Sequence, residues 1–324
     1  MTWRNEMKNE TNLFGILQGL MDRETVSEIC IDRYNQIYFE EGGVVVDFDQ
    51  SFESEEKLEK TIKKIFDFAG ACIGKKELAA QCTLADGTRI GAVLPPMSLH
   101  GAVMTIMKRP HNELTWEDMK KFGAFDEAGA QILEGLLKND KNILHLGNAG
   151  SGRVTMINNL LKKVDPSYRV SILEKNPEMK TNRARTMHLQ ATGNNPEGMK
   201  ELVNQAFYLR CDYTFVNGLY GSEATRLLDY MREGYSSVLS ILAESVQDGL
   251  GRIERKVLLD NPWLGLEGTR DVIGSSIDVV IFQKRFEDGA RRVSEIVEVN
   301  HGDNGYQFKL LYHYDEKSKQ FITA

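Results

Sequence analysis

The sequence predicts an α/β protein in which a smaller α/β domain precedes a larger domain built on a mostly parallel sheet. Beyond residue 119, short apolar runs rich in β-branched residues alternate with helical patterns, which is typical of parallel strands covered by helices on both faces. A length of 324 residues suffices for two domains. Hydrophobic content of 41% and charged content of 27% are those of an ordinary globular protein.

The smaller domain is predicted over residues 1–108, and its elements follow from apolar spacing and turn residues. An amphipathic opening helix carries Leu13, Ile16, Leu17, Leu20 and Met21. The dipeptide Asp86-Gly87 between two alternating runs indicates a hairpin. The other predicted elements are strands at Glu28–Ile31, Gln36–Glu40, Val44–Phe48, Gln81–Leu84, Arg89–Leu94 and Val103–Met107, and a helix at Glu56–Ala71.

The larger domain is predicted over residues 119–324, after a linker at 109–118 that contains Pro110 and few apolar residues. An antiparallel hairpin, Arg292–Asn300 and Tyr306–Tyr314 with its turn at His301–Gly305, is predicted to end the chain. The other predicted strands are Asn142–Leu146, Arg169–Leu173, Tyr213–Val216, Ser237–Leu242 and Ile277–Gln283. The predicted helices are Glu127–Lys138, Met156–Lys163, Met199–Leu209 and Glu223–Glu233.

Charge and cysteine usage restrict the classes of partner. A net charge of −7 argues against broad capture of nucleic acid or anionic membrane. The basic cluster Lys284, Arg285, Arg291 and Arg292 is interpreted as the solvated face of a hairpin. Four scattered cysteines without a C-x-x-C pair disfavour a zinc site or disulfide framework and suit a reducing cytoplasm. No signal segment or membrane span is apparent, so we expect a cytoplasmic protein that can still dock on a membrane complex.

A glycine-rich stretch, Gly147–Thr155, is the strongest functional signal in the sequence. It follows an apolar run and leads into a helical pattern, the context in which backbone N–H groups and a helix N-terminus bind phosphate. The phosphate-binding pattern G-x-x-x-x-G-K-[ST] requires a lysine and a hydroxyl after its last glycine. Arg153 and Val154 occupy these two positions. The loop is therefore predicted to retain its scaffold and to lack its usual chemistry.

In its order of segments the chain resembles the CpaF-like branch of the bacterial type II and type IV secretion and pilus-assembly ATPases. The resemblance extends from about residue 13 to 315. It rests on Ala85-Asp-Gly-Thr-Arg-Ile-Gly-Ala-Val-Leu-Pro-Pro96, the Gly147 loop, Gly221-Ser-Glu-Ala224, Ser275-Ser-Ile-Asp-Val-Val280 and Asp288-Gly-Ala-Arg-Arg-Val293. It implies a RecA-like core, a ring-shaped hexamer with sites between subunits, and inner-membrane platform proteins as partners.

The chain departs from the family at most catalytic positions. An acidic pair after the second strand is represented by Glu174-Lys175. The family's Gly-Glu, whose glutamate lies near the attacking water, is replaced by Asn217-Gly218, and an arginine two residues on is Tyr220. Both family histidines are missing from Gly234-Tyr235 and Ile241–Glu244. In the smaller domain, the phosphate-facing Arg-Arg is represented by Met107-Lys108, whereas Arg89 remains.

These losses predict a pseudo-ATPase that acts as a scaffold or regulator of a pilus-assembly or secretion system. Valine offers no oxygen to Mg²⁺, and glycine cannot orient water. Two alternatives stay open: a metal-independent receptor for a nucleotide or cyclic dinucleotide, and a weakly active ATPase that uses Glu174. No cofactor is required, ATP, ADP or another nucleotide can be the ligand, and Mg²⁺ is not expected. The oligomer is expected to be a homo-hexamer or a mixed ring with an active paralogue. The vestigial phosphate-site residues are Gly147, Gly150, Ser151, Gly152, Arg153, Val154, Thr155, Lys175 and Arg89.

Several other polar residues are given structural rather than functional interpretations. His145, inside a strand, is interpreted as a hydrogen-bonded core histidine. His188 is predicted on a surface loop. Arg183 and Arg185 are predicted on a solvated face, with an anion site between subunits as the alternative. Glu223 is interpreted as an acid that offsets a helix dipole, and Arg252 as part of an ion pair.

Overall fold

The computed structural model describes residues 12–84, 86–108, 114–191, 197–302 and 305–324. Within it the chain forms two compact units, Met1–Glu113 and Leu114–Ala324, each with its own sheet. The predicted linker at 109–118 falls partly outside the described residues. Its last residues, Trp116–Asp118, begin a helix whose N-terminus is stabilised by a capping box between Thr115 and Asp118.

The first unit is a six-stranded antiparallel sheet with two α-helices. The strand order is β3-β2-β1-β6-β5-β4, and Leu58, Ile62, Ile65 and Phe66 of the longer helix pack on one face. Gly42 and Gly43 both have positive φ, as the tight β2–β3 hairpin requires. The elements are α1 (Gln18–Asp22), β1 (Val26–Arg33), β2 (Gln36–Glu41), β3 (Val44–Asp47), α2 (Glu55–Phe68), β4 (Ala79–Thr83), β5 (Arg89–Val93) and β6 (Val103–Met107).

The second unit is a nine-stranded mixed sheet with helices on both faces. Its elements begin with α3 (Trp116–Lys121), α4 (Glu127–Lys138), β7 (Ile143–Gly147), α5 (Arg153–Lys163), β8 (Val170–Glu174), β9 (Thr186–Gln190), α6 (Gly198–Tyr208), β10 (Tyr213–Asn217) and α7 (Glu223–Arg232). They continue with β11 (Ser236–Leu242), α8 (Val246–Asp260), α9 (Gly265–Ser276), β12 (Val279–Arg285), β13 (Arg291–Gly302), β14 (Gly305–Asp315) and β15 (Gln320–Thr323).

The topology of the second sheet places the glycine-rich loop near its centre. The strand order is β15-β14-β13-β12-β7-β11-β10-β8-β9, and the run from β12 to β9 is parallel. Because β7 lies between β12 and β11, the loop that follows Gly147 emerges among the carboxyl ends of several strands. This is the edge at which open α/β sheets bind ligands.

Successive residues of β7 point to opposite faces of the sheet and pack into two separate hydrophobic cores. Ile143 packs with α4 and α5, including Leu133 and Leu160, on one face. Leu144 packs with α7 and α8, including Leu227 and Leu250, on the other. The strands of the parallel run other than the edge strand β9 are therefore buried along most of their length, as the sequence indicated.

The predicted fold class is confirmed: a smaller α/β domain precedes a RecA-like core with a mostly parallel sheet. The antiparallel terminal hairpin is also present, as β13 and β14, although residues 303–304 of its predicted turn lie outside the described residues. Among the described residues, five α-helices and β-strands were not predicted from the sequence, namely α3, β9, α8, α9 and β15. In the part of the chain that the structure describes, no helix is long and apolar enough to cross a membrane.

Candidate functional site

The glycine-rich loop is held in a tight turn between β7 and α5. A Cβ atom on Gly147 would lie 2.4 Å from Ser151 Oγ and 2.8 Å from the carbonyl oxygen of Gln283, so only glycine fits there. Gly152 caps α5 with a φ of 88°. The first turn of α5 has no side-chain cap and no acidic residue. Its amide groups and the helix dipole are therefore oriented toward an anion.

Two arginines from the β12–β13 hairpin lie against this loop. Arg291 Nε donates a hydrogen bond of 2.8 Å to the carbonyl oxygen of Gly150. A Cβ atom on Gly150 would lie 3.5 Å from Arg285 Nη1. The interpretation of this basic cluster as a solvated hairpin face is confirmed for Arg285 and Arg291, which are exposed and also lie beside the loop. Lys284 and Arg292 are half-buried and pair with Glu316 at 3.5 Å and Asp288 at 2.8 Å.

Arg153 turns back across the loop instead of extending into solvent. Its Cγ atom would lie 2.8 Å from a Cβ atom on Gly147. Burial lowers the pKa of its guanidinium, and the neighbouring Glu178 and Tyr220 raise it. Arginine stays a cation under these conditions. The residue in the lysine position is therefore directed, at least in part, toward Glu178 and Tyr220.

The position that would supply a magnesium ligand has no oxygen. Val154 follows Arg153 in the first turn of α5, and its side chain is aliphatic. Among the described residues no group of three or more His, Cys, Asp or Glu side chains could hold a metal ion. Mg²⁺ at a nucleotide site is held by one or two side-chain oxygens together with phosphates and waters, and the side chain at position 154 supplies no such oxygen.

Tyr220 fills the space beside Gly218, where the sequence lacks the family glutamate. A Cβ atom on Gly218 would lie 2.7 Å from the Tyr220 hydroxyl, and Gly218 has a φ of 96°. Lys175 Nζ lies 5.4 Å from the centre of the Tyr220 ring, within the range of a cation–π contact. Burial raises the pKa of Tyr220, and Glu178 and Glu174 add to this effect. Tyr220 thus joins Arg153 and Lys175 into one polar cluster.

Glu174, at the end of β8, is completely buried and engaged on both oxygens. Oε1 accepts hydrogen bonds from the backbone N–H of Glu178 (3.1 Å) and Met179 (3.1 Å) and from Asn217 Nδ2 (2.9 Å). Oε2 accepts from Met179 N at 3.2 Å and lies 2.7 Å from His188 Nε2. The carboxylate therefore organises the loop after β8 and joins it to β10.

His145 has the structural role that the sequence predicted. It is fully buried, with Nδ1 3.2 Å from Ser240 Oγ and Nε2 3.2 Å from Gln283 Oε1. Burial lowers its pKa to about 3, and the positive charge of Arg153 adds to this effect. The ring is therefore neutral, and it links three adjacent strands directly beneath the glycine-rich loop.

The pKa of His145 predicts a pH-dependent stability. A neutral buried imidazole that titrates near 6.5 when unfolded makes the unfolded state bind more protons, so stability decreases as the pH is lowered below about 6.5. Acidification from pH 6.5 to about 4.5 is expected to remove about 2 kcal/mol of unfolding free energy through this group. Urea unfolding of wild type and His145→Gln at several pH values measures it. Equal pH slopes in the two proteins would contradict the assignment.

The remaining predicted residues have mainly structural contacts. His188 lies on β9, so its placement on a loop was wrong. Arg183 donates to the carbonyl oxygens of Val164 (2.8 Å) and Tyr168 (3.0 Å), and Arg185 donates to that of Ser167 (2.8 Å). These contacts hold neighbouring loops, which disfavours the alternative of an anion site.

Glu223 and Arg252 have the structural roles assigned to them. The Glu223 carboxylate accepts hydrogen bonds from the backbone N–H groups of Tyr220 and Gly221 at the start of α7, the latter at 2.9 Å. Arg252 Nε pairs with Asp248 Oδ2 at 2.9 Å.

Arg89 belongs to the first unit, where it begins β5. Its Nη2 atom lies 3.9 Å from Met107 Sδ of β6. Its membership of the phosphate site remains a prediction. The other predicted site residues lie in the second unit. The segment from Gly147 to Thr155 is contiguous, and Lys175 is connected to Arg153 through Tyr220.

A cavity of about 270 Å³ opens beside the first turn of α5. Gly152 and Thr155 line it on the loop side, and Gln283 and Arg291 contribute further polar groups. The rest of the lining is apolar and includes Leu114, Met119 and Phe122. An apolar cavity with a few convergent polar groups is the usual form of a small-molecule site. No local motif in the sequence indicates this cavity, because its walls come from four separate segments.

The central strand, glycine-rich loop and following helix of this sheet define the class of P-loop nucleotide-binding folds. The chain belongs to the family of type II/IV secretion system proteins, whose model matches residues 10–290. It is 24% identical to the type IV secretion system protein PtlH of Bordetella pertussis, over 85% of this chain and 91% of that protein. It is 26% identical to the conjugal transfer protein TrbB of Rhizobium radiobacter, over 72% of this chain and 71% of that one.

Other relatives share the fold or part of the length. The pilus retraction motor PilT superposes with a TM-score of 0.62 at 15% identity, over 91% of this chain and 82% of PilT. The Legionella pneumophila ATPase DotB gives 0.57 at 14% identity, over 89% and 80%. The chain spans 33% of an uncharacterized protein of Methanocaldococcus jannaschii, to which it is 26% identical over 70% of its own length.

Proposed function

We propose that this protein is a CpaF-like pseudo-ATPase that does not hydrolyse ATP and serves as a scaffold or regulator of a pilus-assembly or secretion system. The observation that carries the proposal is a pair of changes, one in the loop and one after β10. Val154 has no oxygen for Mg²⁺, and position 218 is a glycine with the Tyr220 ring beside it. Phosphoryl transfer depends on the metal and on an oriented nucleophile, so losing both removes the main sources of rate.

The weakly active alternative has little support in the contacts of Glu174. A general base needs a free oxygen within reach of water. Both oxygens of Glu174 already accept hydrogen bonds, and the side chain is completely buried. Removing one transition-state stabiliser typically costs about 10²–10³ in rate.

Phosphate release from ATP by the purified protein tests the proposal directly. With Mg²⁺ or Mn²⁺, we expect the wild type and a Gly152→Trp variant to release phosphate at the same background rate. Tryptophan at position 152 obstructs the loop, because even a Cβ atom there would lie 3.2 Å from Arg291 Cδ. Turnover in the wild type that disappears in the variant would overturn the proposal. A thermal unfolding curve for the variant establishes that it is folded.

The scaffold role has a separate test in assembly. The family resemblance favours a cytoplasmic ring, formed from this chain alone or together with an active paralogue. This ring would lie close to inner-membrane platform proteins. Native mass spectrometry of the chain alone and mixed with an active family member distinguishes the two arrangements. A monomer under both conditions would contradict the scaffold proposal while leaving the absence of hydrolysis intact.

A second candidate, a metal-independent nucleotide or cyclic-dinucleotide receptor, is favoured by the cavity and the hairpin arginines. The cavity accepts an apolar ring, while Arg285, Arg291 and the amides of α5 offer positive charge to phosphate. Calorimetry with ATP, ADP, GTP and cyclic dinucleotides in EDTA tests it. Binding that Arg291→Ala weakens supports the receptor, and absence of heat for every ligand excludes it.

A further inference from the structure

The outer edge of β3 is the most exposed apolar strand of the first unit. β3 is the terminal strand of its sheet and pairs with β2 on one side. Its three consecutive valines, Val44, Val45 and Val46, are 63%, 64% and 41% exposed. Natural sheets usually protect an edge by keeping it short or by placing charged residues, proline or a bulge there. β3 is short and carries Asp47, but it has no lysine, proline or bulge along Val44–Asp47.

The hydrogen-bonding pattern shows which backbone groups of β3 are available. Phe48 N donates to the carbonyl oxygen of Ile37 at 2.9 Å, immediately after the hairpin register that pairs Tyr38 with Asp47. Since hydrogen-bonded and non-bonded pairs alternate in antiparallel strands, Val44 and Val46 bond to β2. The N–H and C=O groups of Val45 and Asp47 therefore point to the open edge. Only an extended strand satisfies such a row of groups together.

The side chains of β3 specify what such a strand contains. Val46 lies opposite the buried Phe39, so Val44 and Val46 are on the core face of the sheet. They lie beyond the part of that face that the helices cover. Val45 and Asp47 are on the other face, where Val45 lies opposite Glu40. An added strand would bury apolar residues beside Val44 and Val46. Its alternate residues would meet Val45 and Asp47, with Glu40 one strand further in, and the acid at position 47 favours a cation there.

We propose that β3 binds an extended segment of another protein, in which apolar residues alternate with lysine or arginine, as an additional strand of this sheet. The acidic residues Glu40 and Asp47 and the net charge of −7 favour a basic partner over a second copy of the chain, which would bring the same acids to the edge. The proposal is independent of whether the loop binds or hydrolyses a nucleotide.

Fluorescence anisotropy of labelled peptides with the full-length protein tests this surface. The probe is an extended peptide of about seven residues that alternates valine and lysine, and its matched counterpart carries glutamate in place of lysine. We expect the lysine peptide to bind at least about tenfold more tightly than the glutamate peptide. Equal affinity, or no binding of the lysine peptide, would overturn the proposal.

Three variants separate strand addition from simple charge attraction. Val45→Pro removes an N–H that points outward and leaves the β2–β3 ladder intact, so we expect about tenfold weaker binding of the lysine peptide, while Val45→Thr retains it. Asp47→Lys is expected to reverse the preference toward the glutamate peptide. Thermal unfolding establishes that each variant is folded. Unchanged binding by Val45→Pro overturns the proposal, as does a dimer of the chain that Val45→Pro dissociates, because the occupant would then be a second copy.

Discussion

Replacing Glu174 with alanine is expected to lower the free energy of unfolding by about 3–5 kcal/mol, the usual cost of removing one member of a buried charged network. The carboxylate is completely buried and accepts hydrogen bonds from two backbone amides and from Asn217. Alanine at position 174 would leave these buried donors without hydrogen-bond acceptors. His188 would also lose its 2.7 Å contact.

Guanidinium unfolding of the purified variants measures this effect. The matched control is Glu201→Ala on the exposed face of α6, which is expected to change stability by less than about 0.5 kcal/mol. Glu174→Gln is expected to lie between the two, because its amide nitrogen would face donors rather than acceptors. A loss below about 1 kcal/mol for Glu174→Ala would mean that the network is not held by this carboxylate.

The result bears on function because a carboxylate that is required for folding is poorly suited to act as a base. In a working phosphate site the acidic residue at the end of this strand has oxygens available to a metal or water. Glu174 has both of its oxygens committed to the loop after β8 and to β10. Its retention is therefore explained by structure, without hydrolysis.

The sequence predicted the parallel core well because its strands are buried on both faces. Tyr213–Asn217 and Val170–Glu174 are continuous apolar or small runs, and such runs identify central strands without any tertiary information. β9 was missed because it is an edge strand with intermediate or exposed residues throughout Thr186–Gln190. Its strand conformation comes from pairing with β8, which no local pattern reports.

The phosphate loop could be recognised from the sequence, but its surroundings could not. The glycine spacing is local, so the motif identified the turn before α5. Arg285 and Arg291 reach that turn because β12 pairs with β7 and places Gln283 beside Gly147. The contact joins residues more than a hundred positions apart. Only the order of strands in the sheet brings them together.

The position of the Tyr220 side chain likewise could not be predicted from the sequence. The sequence shows only that position 218 is a glycine and so lacks the carboxylate of the family's glutamate. The structure shows that the Tyr220 ring lies beside that position and that Gly218 has a φ of 96°, a conformation that favours glycine. Placing a glutamate at position 218 would therefore not by itself restore the catalytic site.

The double substitution Arg153→Lys, Val154→Thr is expected to create Mg²⁺-dependent ATP binding without hydrolysis. Lysine provides a compact ammonium for phosphate, and threonine provides a hydroxyl for the metal. One recovered metal contact corresponds to about a tenfold to hundredfold tighter Kd for Mg-ATP than for ATP in EDTA. Calorimetry in the presence and absence of Mg²⁺ measures this ratio.

The single variant Arg153→Lys is the matched control for the hydroxyl. It retains Val154, so its affinity for ATP is expected to be the same with and without Mg²⁺. If it already shows the Mg²⁺ dependence, the metal is held elsewhere and the interpretation of position 154 is wrong.

Phosphate release by the double variant then separates binding from chemistry. We expect background rates, because Gly218 cannot orient water and the Tyr220 ring still lies beside it. Hydrolysis by the double variant would show that the loop alone limits the natural protein, and that Tyr220 is no obstacle. Binding without turnover would place the second defect at the end of β10. Two independent defects, at Val154 and at Gly218 with Tyr220, are what distinguish a site that has lost its reaction from a motor with one altered residue.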